Sequence, residues 1–304
     1  MPPQLHLSAI AVELGDAVPL ADVAGDPELT AQLPALAEGG MVHCRVSGRP
    51  VTDLAAAAAR AALAAAGDPA VDSVVYATDS PYEQTATKDL WQLLTAAGLP
   101  QAPGVVVGGS ASANLAPALR TAHGLLAAER PETVLLVTAD RITDTTRYQP
   151  VGVTVLSDGA AACLVGPEPR GPGYRLLASA TVVRADAAEV SNSIKAASLV
   201  KTGVTRARAE LDGQLADPGR PFRHLVTGNY SLATRTFLAR LCGLDLTAAH
   251  APDVAGTGHA FSVDLLAGLA DLQERKLVDP GDRVLVLATS PRSWSMLAFE
   301  YTEG

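Results

Sequence analysis

Two turns of this chain hold residue types that can do chemistry together. GGSASAN (108–114) carries Ser112 and GTGHAFSVD (256–264) carries His259, and each opens an apolar stretch with helical spacing. A serine hydroxyl is a weak nucleophile until a base takes its proton, and imidazole is the side chain best placed to do so near neutral pH. Ser112 facing His259 would be a base-assisted nucleophile.

The two turns correspond because the chain contains itself twice. VDSVVYATDS, followed by a stretch ending LWQLLTAAGLP, recurs about 150 positions on as FRHLVTGNYS followed by TRTFLARLCGLDL. GGSASANLAPALRTAHGLLAAERPETVLLVTAD is answered by GTGHAFSVDLLAGLADLQERKLVDPGDRVLVLATS. Each copy runs from a Gly-rich turn through an apolar helix and a short break into a β-branched strand. Packed about a pseudo-twofold axis, such halves bring equivalent helix entrances together, Ser112 at one and His259 at the other.

The elements that must position these turns alternate between strand and helix. LHLSAIAVEL reads as an opening strand, 53–67 as an Ala-rich helix, VDSVVYAT as a buried strand, and 86–97 as a helix. GVVVGG is a short strand before the Ser112 helix (113–129), and VLLVTAD (134–140) follows it. GVTVLSDGAAACLVGP (152–167) reads as a hairpin-like pair of strands around an SDG turn. EPRGPG is the mid-chain linker, which predicts an N-terminal half over 1–168 carrying the nucleophile and a C-terminal half over 169–304 carrying the base. In the second half YRLLASATVVRA, HLVTG, VLVLATS and SMLAFEY are strands, with helices within 194–211, over 231–242 and after His259. Near-continuous apolar strands with helices between them predict parallel or mixed sheets covered on both faces, an α/β protein of two βαβαβαββ halves in five αβαβα layers.

Composition narrows the function classes. The chain has 304 residues, 48% hydrophobic but only 4% aromatic, so its core is built from small aliphatic side chains. A formal charge of −9 argues against nucleic acid, whose phosphates need a basic face. Three scattered cysteines, Cys44, Cys163 and Cys242, make neither a disulfide framework nor a metal site, and suit a reducing compartment. MPPQLHLSAIAVELGD lacks a basic segment followed by an apolar one, and no run of 18 apolar residues occurs. A cytoplasmic protein with no membrane contact is expected.

SASANLAPAL, VLLVTADRI and VLSDGAAACLV, followed by VTGNYS, GTGHAFSVD and ATSPRSWSML, resemble the thiolase fold in its ketoacyl synthase III branch. That family carries a reactive Cys at a buried helix entrance, a strand ending in an acidic residue, a DG turn, and a downstream His and pair of Asn residues. The likeness spans nearly the whole chain. It implies that Ser112 stands in place of the nucleophilic Cys, that the family's His falls near Val226 or Thr227, that Asn229 retains one Asn, and that His259 replaces the other. The His and Asn pair with which the family stabilises a decarboxylating malonyl thioester is therefore broken, and condensation is not expected.

Another chemistry fits the residues that remain. His259 can deprotonate Ser112, and Asp264, five residues on, can orient the imidazole if His259 precedes its helix. The family's GHxxxxD variants resemble acyltransferases. A helix N-terminus at Ser112 favours developing negative charge, so the Ser112 amide is an expected oxyanion donor, with a second N–H from Thr289 or Ser290. Asn229 is assigned to oxyanion or substrate positioning. Asp158 and Gly159 match the structural DG turn. Ser110 and Ser112 also suit a plain helix cap, and His6, His43, His123, His224 and His250 have no partner pattern. Lys195, Lys201, Arg206 and Arg208 line one helix as a candidate docking patch for an acidic acyl carrier protein. The resemblance thus implies an acyltransferase, with no cofactor of its own. It would take an acyl group from a carrier-protein or CoA thioester through acyl-Ser112 to a hydroxyl of a natural-product scaffold, as a homodimer in secondary metabolism. The rivals are a condensing enzyme that primes a polyketide chain, and a non-catalytic subunit of a heterodimer.

Overall fold

A computed structural model describes residues 4–23, 25–80, 85–129, 132–143, 145–150, 153–187 and 193–304. The first half opens with β1 (His6–Leu14) and an excursion of β2 (Asp16–Pro19), α1 (Pro27–Glu38) and β3 (His43–Val46). It continues through α2 (Val51–Ala65), β4 (Ser73–Ala77), α3 (Ala86–Ala96), β5 (Gly104–Val107), α4 (Leu115–Ala128) and β6 (Val134–Asp140). It closes with β7 (Tyr148–Gln149), β8 (Thr154–Val155) and β9 (Gly159–Gly166). The second half runs β10 (Gly173–Val183), α5 (Ser193–Asp212), β11 (His224–Thr227), α6 (Leu232–Leu241) and β12 (Ala249–His250). Then come α7 (Val254–Thr257), α8 (Val263–Glu274), β13 (Arg283–Thr289) and β14 (Ser293–Thr302).

Among the described residues ten strands share one sheet, in the order β12-β11-β13-β14-β10-β1-β9-β6-β4-β5. Read outward from the middle, each half contributes the same five types of strand. The pairs β4–β5, β4–β6, β11–β12 and β11–β13 are parallel, whereas β6–β9, β1–β9, β13–β14 and β10–β14 are antiparallel. A short antiparallel seam, His6–Ser8 against Gly173–Arg175, joins the halves.

Side-chain alternation along the strands gives the layers. Val134 and Leu136 of β6 face a core shared with α4 and α8, while Leu135 and Val137 face α2 and α3. In the second half Val284 and Val286 of β13 face the same central core, and Leu285 and Leu287 face α5 and α6. The order is helix, strand, helix, strand, helix, with α4 and α8 buried in the middle. Residues small enough for this layering do the packing: Gly203 of α5 lies against fully buried Trp294, whose ring a Cβ at that position would meet at 2.1 Å.

One sequence expectation changes, and one element is new. Residues 153–167, the described part of the expected hairpin, do not form one: β8 pairs with β7, and β9 runs between β1 and β6. Asp158 sets this geometry. Its buried carboxylate takes two bonds from Arg147 at 2.9 and 3.0 Å and one each from the amides of Ser47 (2.8 Å) and Ile142 (2.9 Å), so the SDG segment is a tied crossing between sheets. The α1 excursion had no sequence assignment, although Asp26 caps it at Leu29 N (2.9 Å) with Pro27 following.

Candidate active site

Both helix entrances are built alike, and their sequence offset is 150. Asn114 Oδ1 accepts from Ser110 N at 2.9 Å, and Asp264 Oδ1 accepts from Ala260 N at 3.0 Å. Ala111 (φ 48°) and Phe261 (φ 55°) both sit in the left-handed region that side chains avoid, immediately before Ser112 and Ser262. Ser112 therefore corresponds residue for residue to Ser262, and His259 to Gly109. Ser112 and His259 thus sit at equivalent turns but three residues apart within the repeat. That displacement lets the two side chains meet across the axis instead of mirroring one another.

They do meet. His259 Nε2 lies 2.9 Å from Ser112 Oγ, and His259 Nδ1 lies 2.5 Å from Asp264 Oδ2. His259 precedes α8 and Asp264 falls in its first turn, the condition for the spacing of five to work. A carboxylate can only accept, so Nδ1 carries the proton toward Asp264 and the Nε2 lone pair is left for the serine hydroxyl. His259 and Asp264 are buried, while Ser112 is partly exposed. The imidazole packs against the rings of Phe261 (5.9 Å, interplanar angle 22°) and Tyr230 (4.9 Å). Its backbone is gripped by the first half: His259 N donates to Val155 O (2.7 Å) and Ser157 N donates to His259 O (2.9 Å).

Asn229 has a different task from the one expected. Its backbone N donates to Asp264 Oδ2 (2.7 Å), and Nδ2 donates to Gly258 O (2.8 Å), Thr257 Oγ1 (3.0 Å) and Asp264 Oδ1 (3.3 Å). Both amide protons are committed, so Asn229 supports Asp264 and has no arm for a substrate oxyanion. Ser290 N is likewise tied to Ser293 O at 2.8 Å inside its turn, which removes it as an oxyanion donor. Thr289 ends β13, and its hydroxyl lies 2.9 Å from Tyr230 OH.

The basic residues of α5 do not make one open patch. At about 100° per residue, Lys195 and Arg206 fall on one side and Lys201 and Arg208 about 140° away. Arg206 is paired with Glu210 (2.8 Å) and Arg208 with Asp212 (2.9 Å), and Arg208 also lies over the Phe222 ring at 5.2 Å. None of the three thiols suits nucleophilic work: burial pushes Cys44 up to about 11 and Cys163 and Cys242 up to about 12. His250, read as structural, is paired with Asp271 (2.8 Å). A cavity of about 770 Å³ between α1 and residues 142–147 contains no member of the Ser112 site.

Sequence reasoning passed over Ser262, Tyr230 and Gly228. A Cβ on Gly228 would come within 2.8 Å of both His259 Cε1 and the Tyr230 ring, so this glycine makes the room in which the imidazole lies. The repeat offset alone could have pointed to Ser262, because it is the counterpart of Ser112.

The comparisons agree with this architecture. The family model for 3-oxoacyl-[acyl-carrier-protein (ACP)] synthase III matches residues 109–187. No curated protein matches the chain. Among solved structures, ChlB3, described as an acyltransferase, is 19% identical with a TM-score of 0.78, over 99% of this chain and 98% of that one. The FabH 3-oxoacyl-(acyl carrier protein) synthase III of Pseudomonas aeruginosa PAO1 is 20% identical with a TM-score of 0.77, over 98% of both chains. A serine-for-cysteine variant of Xanthomonas campestris OleA with bound lauric acid and lauroyl-CoA is 15% identical with a TM-score of 0.79, over 99% of this chain and 100% of that one. The chain has the thiolase-like α/β fold that these proteins share.

Proposed function

We propose that this chain is a non-condensing acyltransferase that works through an acyl-Ser112 intermediate. The observation that carries the reading is the continuous relay from Ser112 Oγ through His259 to Asp264 at 2.9 and 2.5 Å. Ser112 Oγ attacks the carbonyl carbon of an acyl thioester as His259 Nε2 takes its proton. The tetrahedral oxyanion collapses, the C–S bond breaks, and the thiol leaves with the proton from Nε2. An acceptor hydroxyl then gives its proton to Nε2 and attacks the acyl carbon, and Ser112 Oγ recovers the proton as its ester bond breaks. The Ser112 amide at the entrance to α4 and the Thr289 amide are the oxyanion donors of this scheme.

The donor is a phosphopantetheine thioester, on an acyl carrier protein or CoA, and the acceptor a hydroxyl on a natural-product scaffold. The similarity to synthases of this fold and to ChlB3 supports that choice. Lys201, exposed on α5, is the residue on which carrier-protein docking rests. A cytoplasmic homodimer completes the proposal, with no cofactor beyond the thioester. A condensing role is disfavoured because Asn229 is committed to Asp264. A non-catalytic role is disfavoured by the intact relay.

Incubation with a panel of acyl carrier proteins and acyl-CoAs, followed by intact-mass and peptide mapping, tests the reading. One acyl group on Ser112, absent in Ser112→Ala, is expected. A label on Cys44, Cys163 or Cys242 that survives Ser112→Ala would overturn it.

A further inference from the structure

We infer that Ser262 is a positioning residue for Ser112, an inference that rests on the acyltransferase reading above. Ser262 is fully buried and is the N-cap residue of α8. A serine there ordinarily accepts a hydrogen bond from an amide of its own first turn. Ser262 makes no such bond to α8. Its hydroxyl crosses the pseudo-twofold axis instead, donating to Ser112 O (3.1 Å) and accepting from Leu115 N (3.2 Å).

Leu115 is the first residue of α4, so its amide is one of those a helix cannot satisfy internally. Asn114, the N-cap of α4, makes no side-chain bond to the helix, because its side chain closes the preceding turn at Ser110 N. The cap of α4 is therefore supplied in trans from the segment that carries the base. Ser262 stands three residues from His259 and two from Asp264, so one hydroxyl ties the backbone of the nucleophile to the backbone of the other two relay members.

This contact also explains how two equivalent serines diverge. The Ser262 hydroxyl spends its proton and a lone pair on backbone groups in a site closed to solvent, so Ser262 is not a rival nucleophile. Ser112, its counterpart, keeps a partly exposed hydroxyl directed at the imidazole. Deleting the Ser262 hydroxyl leaves a buried carbonyl and a buried amide without their partner and frees the Ser112 turn to shift.

The test uses the full chain and an alkyl fluorophosphonate, which phosphonylates a base-activated serine with loss of fluoride and transfer of the serine proton to His259. Labelling of Ser112 is followed against probe concentration and pH for wild type, Ser262→Ala, Ser262→Cys and Ser262→Thr, with Ser112→Ala and His259→Ala as controls. Misplacement of a reacting group by about 1 Å costs about 100-fold, so Ser262→Ala is expected to lower the maximal labelling rate by about 10–100-fold. The half-saturating probe concentration and the shape of the pH profile should not change. Ser262→Cys, with similar volume and a weak donor, should behave like Ser262→Ala, and Ser262→Thr, which keeps the hydroxyl, should recover most of the rate. Wild-type labelling rates in Ser262→Ala or Ser262→Cys would overturn the inference and leave the acyltransferase reading standing. So would a loss that merely tracks the unfolded fraction seen by circular dichroism. A wild-type enzyme that is not labelled on Ser112 would overturn both.

Discussion

Asn229 meets Asp264 twice, through its backbone amide at 2.7 Å and its side-chain amide at 3.3 Å. With Ala260 N at 3.0 Å and His259 Nδ1 at 2.5 Å, four donors converge on one buried carboxylate. Such a carboxylate has no freedom to turn, and the imidazole inherits that rigidity. Asn229 is thereby spent on Asp264.

His259→Ala should reduce acyl transfer by about 10²–10⁴-fold with the fold intact, since that is the usual worth of a general base. Asp264→Asn should be intermediate, because its amide cannot accept from every donor now facing it. Steady-state transfer rates checked against far-ultraviolet circular dichroism decide both. Unchanged activity in Asp264→Asn would remove Asp264 from the mechanism.

Gly228→Ala should act like a partial loss of the base although residue 228 touches no substrate in the scheme. The added methyl would lie 2.8 Å from His259 Cε1 and from the Tyr230 ring, too close for either to stay. We expect kcat to fall by about tenfold or more through loss of the relay geometry. A crystal structure of the variant should show the imidazole turned away from Ser112 Oγ. Full activity with the ring in place would show that the pocket gives more readily than its packing suggests.

Malonyl thioesters should not lose carbon dioxide on this protein at a useful rate. Decarboxylation needs donors that hold the thioester enolate, and both Asn229 amide protons are spent on Thr257, Gly258 and Asp264. Ester formation without a ketoacyl product is the expected outcome by liquid chromatography and mass spectrometry. A ketoacyl product formed as fast as the ester would promote the chain-priming alternative.

Asp140, at the end of β6, gives stability a pH dependence of its own. Burial, with the nearby Asp79 charge, pushes its carboxyl from 3.8 up to about 7, against the hydrogen bonds from Asp79 and Ser80 that favour the ionised form. The folded protein therefore keeps a proton that the unfolded chain releases near 4, and this contribution is full below about pH 4 and lost as pH rises through about 7. The stability of wild type relative to Asp140→Asn should fall across that window and level off above it. Denaturant titrations at pH 4, 5.5, 7 and 8.5 measure the difference, and a difference that stays constant would rule Asp140 out as its source.

Much of this protein is legible in its sequence. Apolar periodicity is a local signal, and it marks the strands at 134–140 and 283–289 and the helices behind Ser112 and His259 within a few residues of where they lie. The internal repeat carries the next level, because two copies of one pattern imply equivalent helix entrances. Residue chemistry then names Ser112, His259 and Asp264, of which the last two are only five positions apart. What tertiary structure alone decided are the contacts between residues distant in sequence that no local pattern encodes. Nothing around Asn229 announces that its side chain turns to Asp264, 35 residues on, instead of to a substrate. Nothing around Ser262 shows that it leaves its own helix to hold Ser112, 150 residues away. Strands β8 and β9 follow one another with apolar runs that fit a hairpin, yet the buried Arg147–Asp158 pair sends them to different partners. A hydrogen bond is a short-range, directional contact, so its partner is set by how the whole chain packs.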